Sequence, residues 1–233
     1  MNYAIIAAGA GERLKSEGFD SPKPLVRVNG VPLIERLLKI CIANGAASIS
    51  CIINEEAEEL HEYLNNFNFP VKFNLIVKTT LSSLHSLNEL GRFLKGSPFM
   101  LMTTDSVFTE DEFRNYLLYI NACNNYDGVL AVTKFIDDEK PLYAEVDKNG
   151  RIVSFADAGK NFDTVTGGIY YFKKDIFDVA REVIESKIFR LRNLLKKLAA
   201  GGYNIGAFEF NKIIDVDHVS DVKKAEDLLN GEK

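Results

Sequence analysis

Residues 4–8 are apolar without alternation, the pattern of a strand buried on both faces of a parallel sheet. Residues 32–43 then place Leu33, Ile34, Leu37, Leu38, Ile40 and Cys41 at helical spacing with charges between them, and Pro32 suits a first helical turn. The alternation continues. Strands are predicted at 48–53, 71–77 and 99–103, with helices at 55–64, where Asn54 is a candidate N-cap, and at 83–94. Thr109 and Glu112 form a capping-box pattern ahead of a helix at 113–117. Beyond residue 125 the chain becomes richer in strands, at 128–133, 142–146, 152–155 and 168–172, with Asp147-Lys148-Asn149-Gly150 reading as a hairpin turn. Helical spacing returns at 176–184 and 189–199, followed by a strand at 203–208 and a last helix at 219–229.

Strands alternating with helices predict a three-layer α/β/α sandwich around a mostly parallel, Rossmann-like sheet, with the β-rich stretch forming a small lobe on the same sheet. At 233 residues and 46% hydrophobic, the chain can bury the core this requires. We expect a single domain over 1–233, divided into an alternating half (1–125) and a β-richer half (126–233). The formal net charge is −5 with cations scattered among acids, which argues against a nucleic-acid surface. Cys41, Cys51 and Cys123 lack metal-ligand spacing and read as reduced thiols. The first apolar run is too short for a membrane span or a signal segment, so a cytoplasmic protein is expected.

Ligands of such sheets collect outside the carboxyl ends of the strands, where Gly9 to Lys23 and Asp105 both fall. Gly9 and Gly11 let the chain turn sharply after the first strand and bring its N–H groups close to a ligand. A dinucleotide fingerprint would need glycine where Leu14 stands and an acid where Asn54 ends the second strand. The Gly-Lys-Ser/Thr of a P-loop is absent. What distinguishes this loop is its cations: Arg13, able to clamp phosphate oxygens bidentately, and Lys23, a point charge stiffened between Pro22 and Pro24. Fixed cations are what a triphosphate under attack at its α-phosphorus requires. Asp105, after an apolar strand, is placed as a ligand for a hard cation or as a cap of the following turn. Residues 78–87 lead from a strand into a helix whose N-terminus offers N–H groups and the hydroxyls of Ser82 and Ser83, as nucleotide contacts or as N-caps. Asp215 and Asp217, two apart, would share a face if the chain there is extended.

The block Ala7-Ala8-Gly9-Ala10-Gly11-Glu12-Arg13-Leu14, then Pro22-Lys23-Pro24-Leu25-Val26, Asn29-Gly30 and Pro32-Leu33-Ile34, resembles the signature of the sugar-phosphate nucleotidyltransferase superfamily. The resemblance extends over essentially the whole chain. It implies an Mg2+-dependent enzyme that transfers NMP from an NTP to a small phosphorylated acceptor. Ala8, Gly9 and Gly11 would contact the base and phosphates, Arg13 and Lys23 would bind the triphosphate, and Asp105 would hold the metal, although Thr104 stands where the family has glycine. The ending around Val219, Ser220, Asp221, Ala225 and Glu226 resembles the family's last turn and helix; aligned on Asp221 it makes Asp217 the second metal ligand and leaves Asp215 to begin the turn. Ser82 replaces a family glycine near the base and ribose.

On the acceptor side the family's Glu-Lys-Pro run is broken, since residues 155–160 read Phe-Ala-Asp-Ala-Gly-Lys. Lys160 is the candidate to serve from a shifted position, and Gly168 resembles a family glycine beside the acceptor, there for close ligand approach or as a bulge. The broken run opens the acceptor class beyond hexose 1-phosphates. Two rivals are kept: a glycosyltransferase of related fold, on the Asp-x-Asp of Asp215-Val216-Asp217, and a non-catalytic nucleotide or sugar-nucleotide binding protein. The sequence leaves a homo-oligomer open.

Overall fold

In the computed structural model, described for residues 1–9, 11–123, 125–158 and 162–231, the chain folds in the predicted alternation. The N-terminal elements are β1 (Asn2–Ala7), α1 (Glu12–Ser16), β2 (Arg27–Val28), β3 (Val31–Pro32), α2 (Leu33–Ala43), β4 (Ser48–Ile53), α3 (Glu58–Asn66), β5 (Lys72–Val77), α4 (Ser83–Leu94), β6 (Phe99–Thr103), β7 (Ser106–Val107) and α5 (Glu110–Ala122). There follow β8 (Gly128–Thr133), β9 (Tyr143–Val146), β10 (Ile152–Ala156), β11 (Thr164–Phe172), α6 (Phe177–Glu185), α7 (Leu191–Ala200), β12 (Ile205–Phe210), β13 (Ile214–Asp215) and α8 (Val219–Asn230).

One sheet runs through both halves in the order β12-β8-β11-β6-β1-β4-β5. Every neighbouring pair is parallel except those made by β11, which is antiparallel to both β6 and β8. The β-rich stretch therefore contributes mainly to this sheet. What extends beyond it is the β9–β10 hairpin, joined to the first residues of β11. The hairpin turn is the predicted one: Asp147 Oδ1 accepts from the N–H groups of Asn149 and Arg151, and Gly150 takes φ 77°.

The strands are apolar on both sides because both sides are covered. In β1, Ala4 and Ile6 face a core completed by Leu84, Leu87 and Leu90 of α4, Phe177 of α6 and Leu194 of α7. Tyr3, Ile5 and Ala7 face the opposite core, with Leu37 of α2, Leu60 of α3 and Phe113 of α5. A third, smaller cluster joins Leu14, Val26, Val28, Leu33, Val107, Ile214, Val216 and Ala225.

The departures from expectation are local. Helix α3 begins three residues past the predicted start, since Asn54 accepts from Glu56 N–H in a turn instead of capping the helix. Pro32 occupies the N-cap position of α2, one residue before the first helical turn. Helix α5 starts at Glu110, with Thr109 accepting from Glu112 N–H as the capping box predicts. Strand β11 extends back to Thr164 through Gly167 and Gly168, where its register with β8 shifts.

Candidate functional site

Strands β1 and β6 are parallel neighbours with Ile6 opposite Thr103, so the loop after β1 and the residues after β6 leave the sheet side by side. The glycine loop bends at Gly11, φ 63°, directly before α1. A Cβ on Gly11 would lie 2.9 Å from Lys23 Cβ, so glycine is required for Lys23 to close over the loop. Leu14, which occupies the place of a third glycine, is 1% exposed and anchors α1 in the small third core.

The C-terminal segment reaches the site through an antiparallel pair that places Asp215 opposite Ser106 and Ile214 opposite Val107. Val216 N–H donates to the carbonyl of Asp105 at 2.9 Å. Asp217 N–H then donates to the carbonyl of Asp215 at 3.1 Å, a tight turn that ends the extended conformation. The two aspartates are thereby separated, which corrects the expectation of a shared face. Asp215 accepts from Ser106 Oγ at 3.0 Å and lines a small side cavity with Asp137, Asp138 and Gly167. Asp217 faces Lys23 and Arg13. Asp221, buried in the first turn of α8, accepts from the N–H groups of Asp217 and His218 and fixes that turn.

The centre of the site is the Lys23 ammonium. It lies 2.8 Å from Asp105 Oδ2 and 2.5 Å from Asp217 Oδ1, and Arg13 Nη1 lies 2.6 Å from Asp217 Oδ2. The Lys23 side chain is 9% exposed. Burial by itself pulls its pKa down, but the Asp105 and Asp217 carboxylates outweigh that and hold the ammonium well above the ordinary lysine value. Burial likewise disfavours the Asp105 carboxylate, and the charge and hydrogen bond of Lys23 reverse this, so its pKa lies below the usual range. At Asp215 burial and the neighbouring Asp105 carboxylate outweigh the Ser106 hydrogen bond and the weaker pull of Lys23, and raise it to about 7.

These groups open on a cavity of about 440 Å3 lined by Ala8, Gly9, Gly11, Glu12, Arg13, Lys23, Thr80, Ser82, Ser83, Ser86, Thr103, Thr104, Asp105 and Asp217, among others. The structure thus brings Ala8, Gly9, Gly11, Arg13, Lys23, Ser82, Ser83, Asp105 and Asp217 into one cavity. Ser82 and Ser83 stand at the start of α4, yet their hydroxyls do not cap it. Ser82 Oγ shares a hydrogen bond with His85 Nδ1 at 2.9 Å and accepts from Arg190 N–H, while Ser83 Oγ accepts from Leu191 N–H. Thr104, in place of the family glycine, is buried with its hydroxyl donating to the Ile6 carbonyl.

Gly168 is not among the residues lining this cavity. It takes φ 73°, and a Cβ there would overlap Ser106 Oγ and stand 2.5 Å from Thr103 Oγ1. Packing of the β11 bulge against β6 and β7 accounts for this glycine without a ligand. Lys160 lies outside the described residues. Sequence reasoning passed over Thr80 and Ser86, whose hydroxyls are 2.7 Å apart at the cavity wall. The available signal was Ser86 itself, a polar residue on the face of α4 that otherwise buries Leu84, Leu87 and Leu90.

The profile of one protein family, described as nucleotidyl transferase, matches residues 3–230. The chain belongs to that family. Among its relatives, the bifunctional protein GlmU of Methanococcus maripaludis is 25% identical over 232 residues, 97% of this chain and 53% of the relative. The chain thus spans about half the length of that relative. A Campylobacter jejuni D-glycero-alpha-D-manno-heptose 1-phosphate guanylyltransferase is 27% identical over 180 residues, 76% of this chain and 78% of the other. Of solved structures, the inositol-1-phosphate CTP transferase from T. maritima superposes with a TM-score of 0.80 at 21% identity, over 97% of this chain and 95% of that one. A glucose-1-phosphate thymidylyltransferase described as putative, from Bacillus anthracis, gives 0.84 at 18% identity, over 98% and 94%. The fold of this nucleotidyl transferase family member is the one those chains share.

Proposed function

We propose that the chain is an Mg2+-dependent nucleotidyltransferase that moves NMP from an NTP to a small phosphorylated acceptor and releases pyrophosphate. One observation carries this reading: a buried ammonium, Lys23, held between Asp105 and Asp217 beside Arg13, at the wall of a cavity begun by the Gly9–Gly11 loop. Two carboxylates that converge on one ammonium can also converge on one metal ion, and their oxygens suit Mg2+. Among the described residues no three His, Cys, Asp or Glu side chains gather as a ligand cluster. That agrees with a metal held by one or two carboxylates and completed by phosphate oxygens. When bound, it would supply charge neutralisation at the phosphates.

In the reaction, a phosphate oxygen of the acceptor attacks the α-phosphorus in line. The α–β bridging bond breaks and its electron pair leaves on pyrophosphate. An anionic acceptor needs no general base. Arg13 and Lys23 stabilise the charge that gathers on the transferring and leaving groups; Asp105 and Asp217 position these two cations and would hold the metal. Ala8, Gly9, Gly11, Ser82 and Ser83 supply the nucleotide wall in the first half of the chain (1–125), and the second half (126–233) receives the acceptor. The names of the relatives point to sugar or cyclitol phosphates as the acceptor class. No helix among the described residues is long and apolar enough to cross a membrane. A cytoplasmic setting follows from the reaction's substrates.

The glycosyltransferase alternative loses its principal support, because Asp215 and Asp217 do not act as a pair. Incubation with each NTP, Mg2+ and a panel of sugar, cyclitol and amino-alcohol phosphates, with pyrophosphate as readout, tests the proposal. Binding of an NTP with no pyrophosphate from any pair would sink it and favour a non-catalytic binding protein.

A further inference from the structure

The Arg13, Lys23, Asp105 and Asp217 side chains form a cluster whose charges cancel, and Glu139, 3.8 Å from Arg13, adds a further carboxylate at its edge. An NTP and a phosphorylated acceptor bring several negative charges into the cavity beside it. One divalent metal offsets two of them, so the acceptor phosphate requires a cation of its own. Around the α4 wall most cations are already committed. Lys78 pairs with Glu89, and Arg192 and Lys196 both pair with Asp157. Arg190 differs. Its side chain is exposed, and no carboxylate among the described residues pairs with it.

Its backbone is also special. Arg190 takes φ 93° and ψ 140°, a region that a side-chain-bearing residue enters only where its surroundings hold it. The holding contacts lie on the cavity wall. Arg190 N–H donates to Ser82 Oγ at 3.4 Å, Leu191 N–H donates to Ser83 Oγ at 3.2 Å, and the Phe189 ring lies 4.9 Å from the His85 ring. Ser82 and Ser83 line the same cavity as Arg13 and Lys23. A strained cation with no carboxylate partner among the described residues is therefore fastened, through its own N–H and that of Leu191, to two serines of the cavity wall.

We propose that Arg190 is a substrate-binding residue that receives the phosphate monoester of the acceptor. This rests on the nucleotidyl-transfer reading above. A planar guanidinium offers a phosphate two parallel hydrogen bonds, which sets the orientation of the attacking oxygen as well as its affinity.

The test uses Arg190→Gly, which deletes the guanidinium and accepts φ 93° without strain, with Arg190→Lys as the charge-conserving companion. Inorganic phosphate is titrated calorimetrically into each protein saturated with Mg2+ and a non-hydrolysable analogue of each NTP in turn. Arg190→Gly is expected to weaken phosphate binding roughly tenfold or more while leaving nucleotide affinity and melting temperature unchanged; Arg190→Lys should retain most of the affinity. Phosphate affinity unaltered in Arg190→Gly, or phosphate fully displaced by the nucleotide, overturns the assignment, as does an equal loss of nucleotide affinity. If no analogue binds, the transfer reading fails, and the titration with Mg2+ alone still decides whether Arg190 holds phosphate. Phosphate binding that depends on Arg190 without pyrophosphate release from any acceptor would leave the anion site standing and remove the reaction.

Discussion

Replacing Lys23 with methionine keeps most of the hydrocarbon and removes the charge that organises the site. Lys23 donates to two carboxylates at 2.8 and 2.5 Å from a side chain that is 9% exposed. Removing one partner of a buried ionic cluster costs about 3–5 kcal/mol, because the remaining charges stay desolvated. Two features lower that figure. Asp217 keeps Arg13 at 2.6 Å, and the Asp105 and Asp217 side chains are 30% and 32% exposed, so water recovers part of the lost interaction. A loss of about 2–3 kcal/mol follows, or a fall in melting temperature of roughly 5–10 °C for a chain of this size. The effect on turnover is expected to be larger. Deleting one fixed group that stabilises developing negative charge lowers turnover about 100–1000-fold, equivalent to about 3–4 kcal/mol on the barrier. The assay pairs thermal denaturation of Lys23→Met near pH 7.5 with pyrophosphate release at saturating NTP, Mg2+ and acceptor. A variant that melts within about 2 °C of the parent and turns over within about tenfold of it would show that Lys23 is neither the electrostatic keystone of the fold's open end nor a triphosphate cation.

Asp217→Asn should raise the Mg2+ concentration for half-maximal activity roughly tenfold or more, with NTP binding in the presence of EDTA largely retained; an unchanged Mg2+ dependence would exclude Asp217 from the metal. Gly168→Ala forces an L-residue to φ 73° and drives its Cβ into Ser106 and Thr103. It should cost about 3 kcal/mol and roughly 6–12 °C in melting temperature. A variant that melts normally but has a raised acceptor KM would instead make Gly168 a ligand contact. Asp157 joins the end of β10 to Arg192 and Lys196 of α7, and its hydrogen bond from Lys196 lowers its pKa. Because the folded pKa lies below the unfolded one, the pair stabilises the protein above the ordinary carboxylate range and the contribution disappears as pH falls through the folded value. The melting difference between the parent and Asp157→Asn should be flat above about pH 5 and close below about pH 4, with a plateau under about 1 kcal/mol for so exposed a pair. A difference that grew on acidification would reject this sign.

Much of the fold was legible because its strands and helices carry strong periodic signals. The runs at Ser48–Ile53, Ser83–Leu94, Phe99–Thr103 and Gly128–Thr133 have the boundaries that hydrophobic pattern alone assigns. Boundaries failed where a backbone device interrupts the pattern. The turn at Asn54 delays α3, and the Arg190 conformation holds α7 back to Leu191. In β11 the Gly167-Gly168 pair reads as a strand boundary, whereas the strand passes through it as a bulge. The two-residue pair of β7 and β13 left no trace in the pattern, since so short a strand has no period to detect.

That invisible pair decides the chemistry of the site. Asp215 and Asp217 carry the same side chain two residues apart, and an extended chain would have made them equivalents. Pairing with Ser106 and Val107 sends Asp215 to a serine hydroxyl, and the turn closed by Asp217 N–H on the Asp215 carbonyl sends Asp217 to Lys23 and Arg13. The pairing in turn depends on the third hydrophobic cluster. Leu14 follows the glycine loop, Val26 follows Lys23, Val107 follows Asp105, and Ile214 and Val216 flank Asp215 just before Asp217. Each segment that delivers a charged group to the cavity therefore delivers an apolar residue to the same small core within three residues of it. Packing of that core sets the spacing of the charges above it, which explains why Leu14 is worth more here than the third glycine of a dinucleotide-binding loop. The anchor fixes Arg13, and a glycine would leave it free.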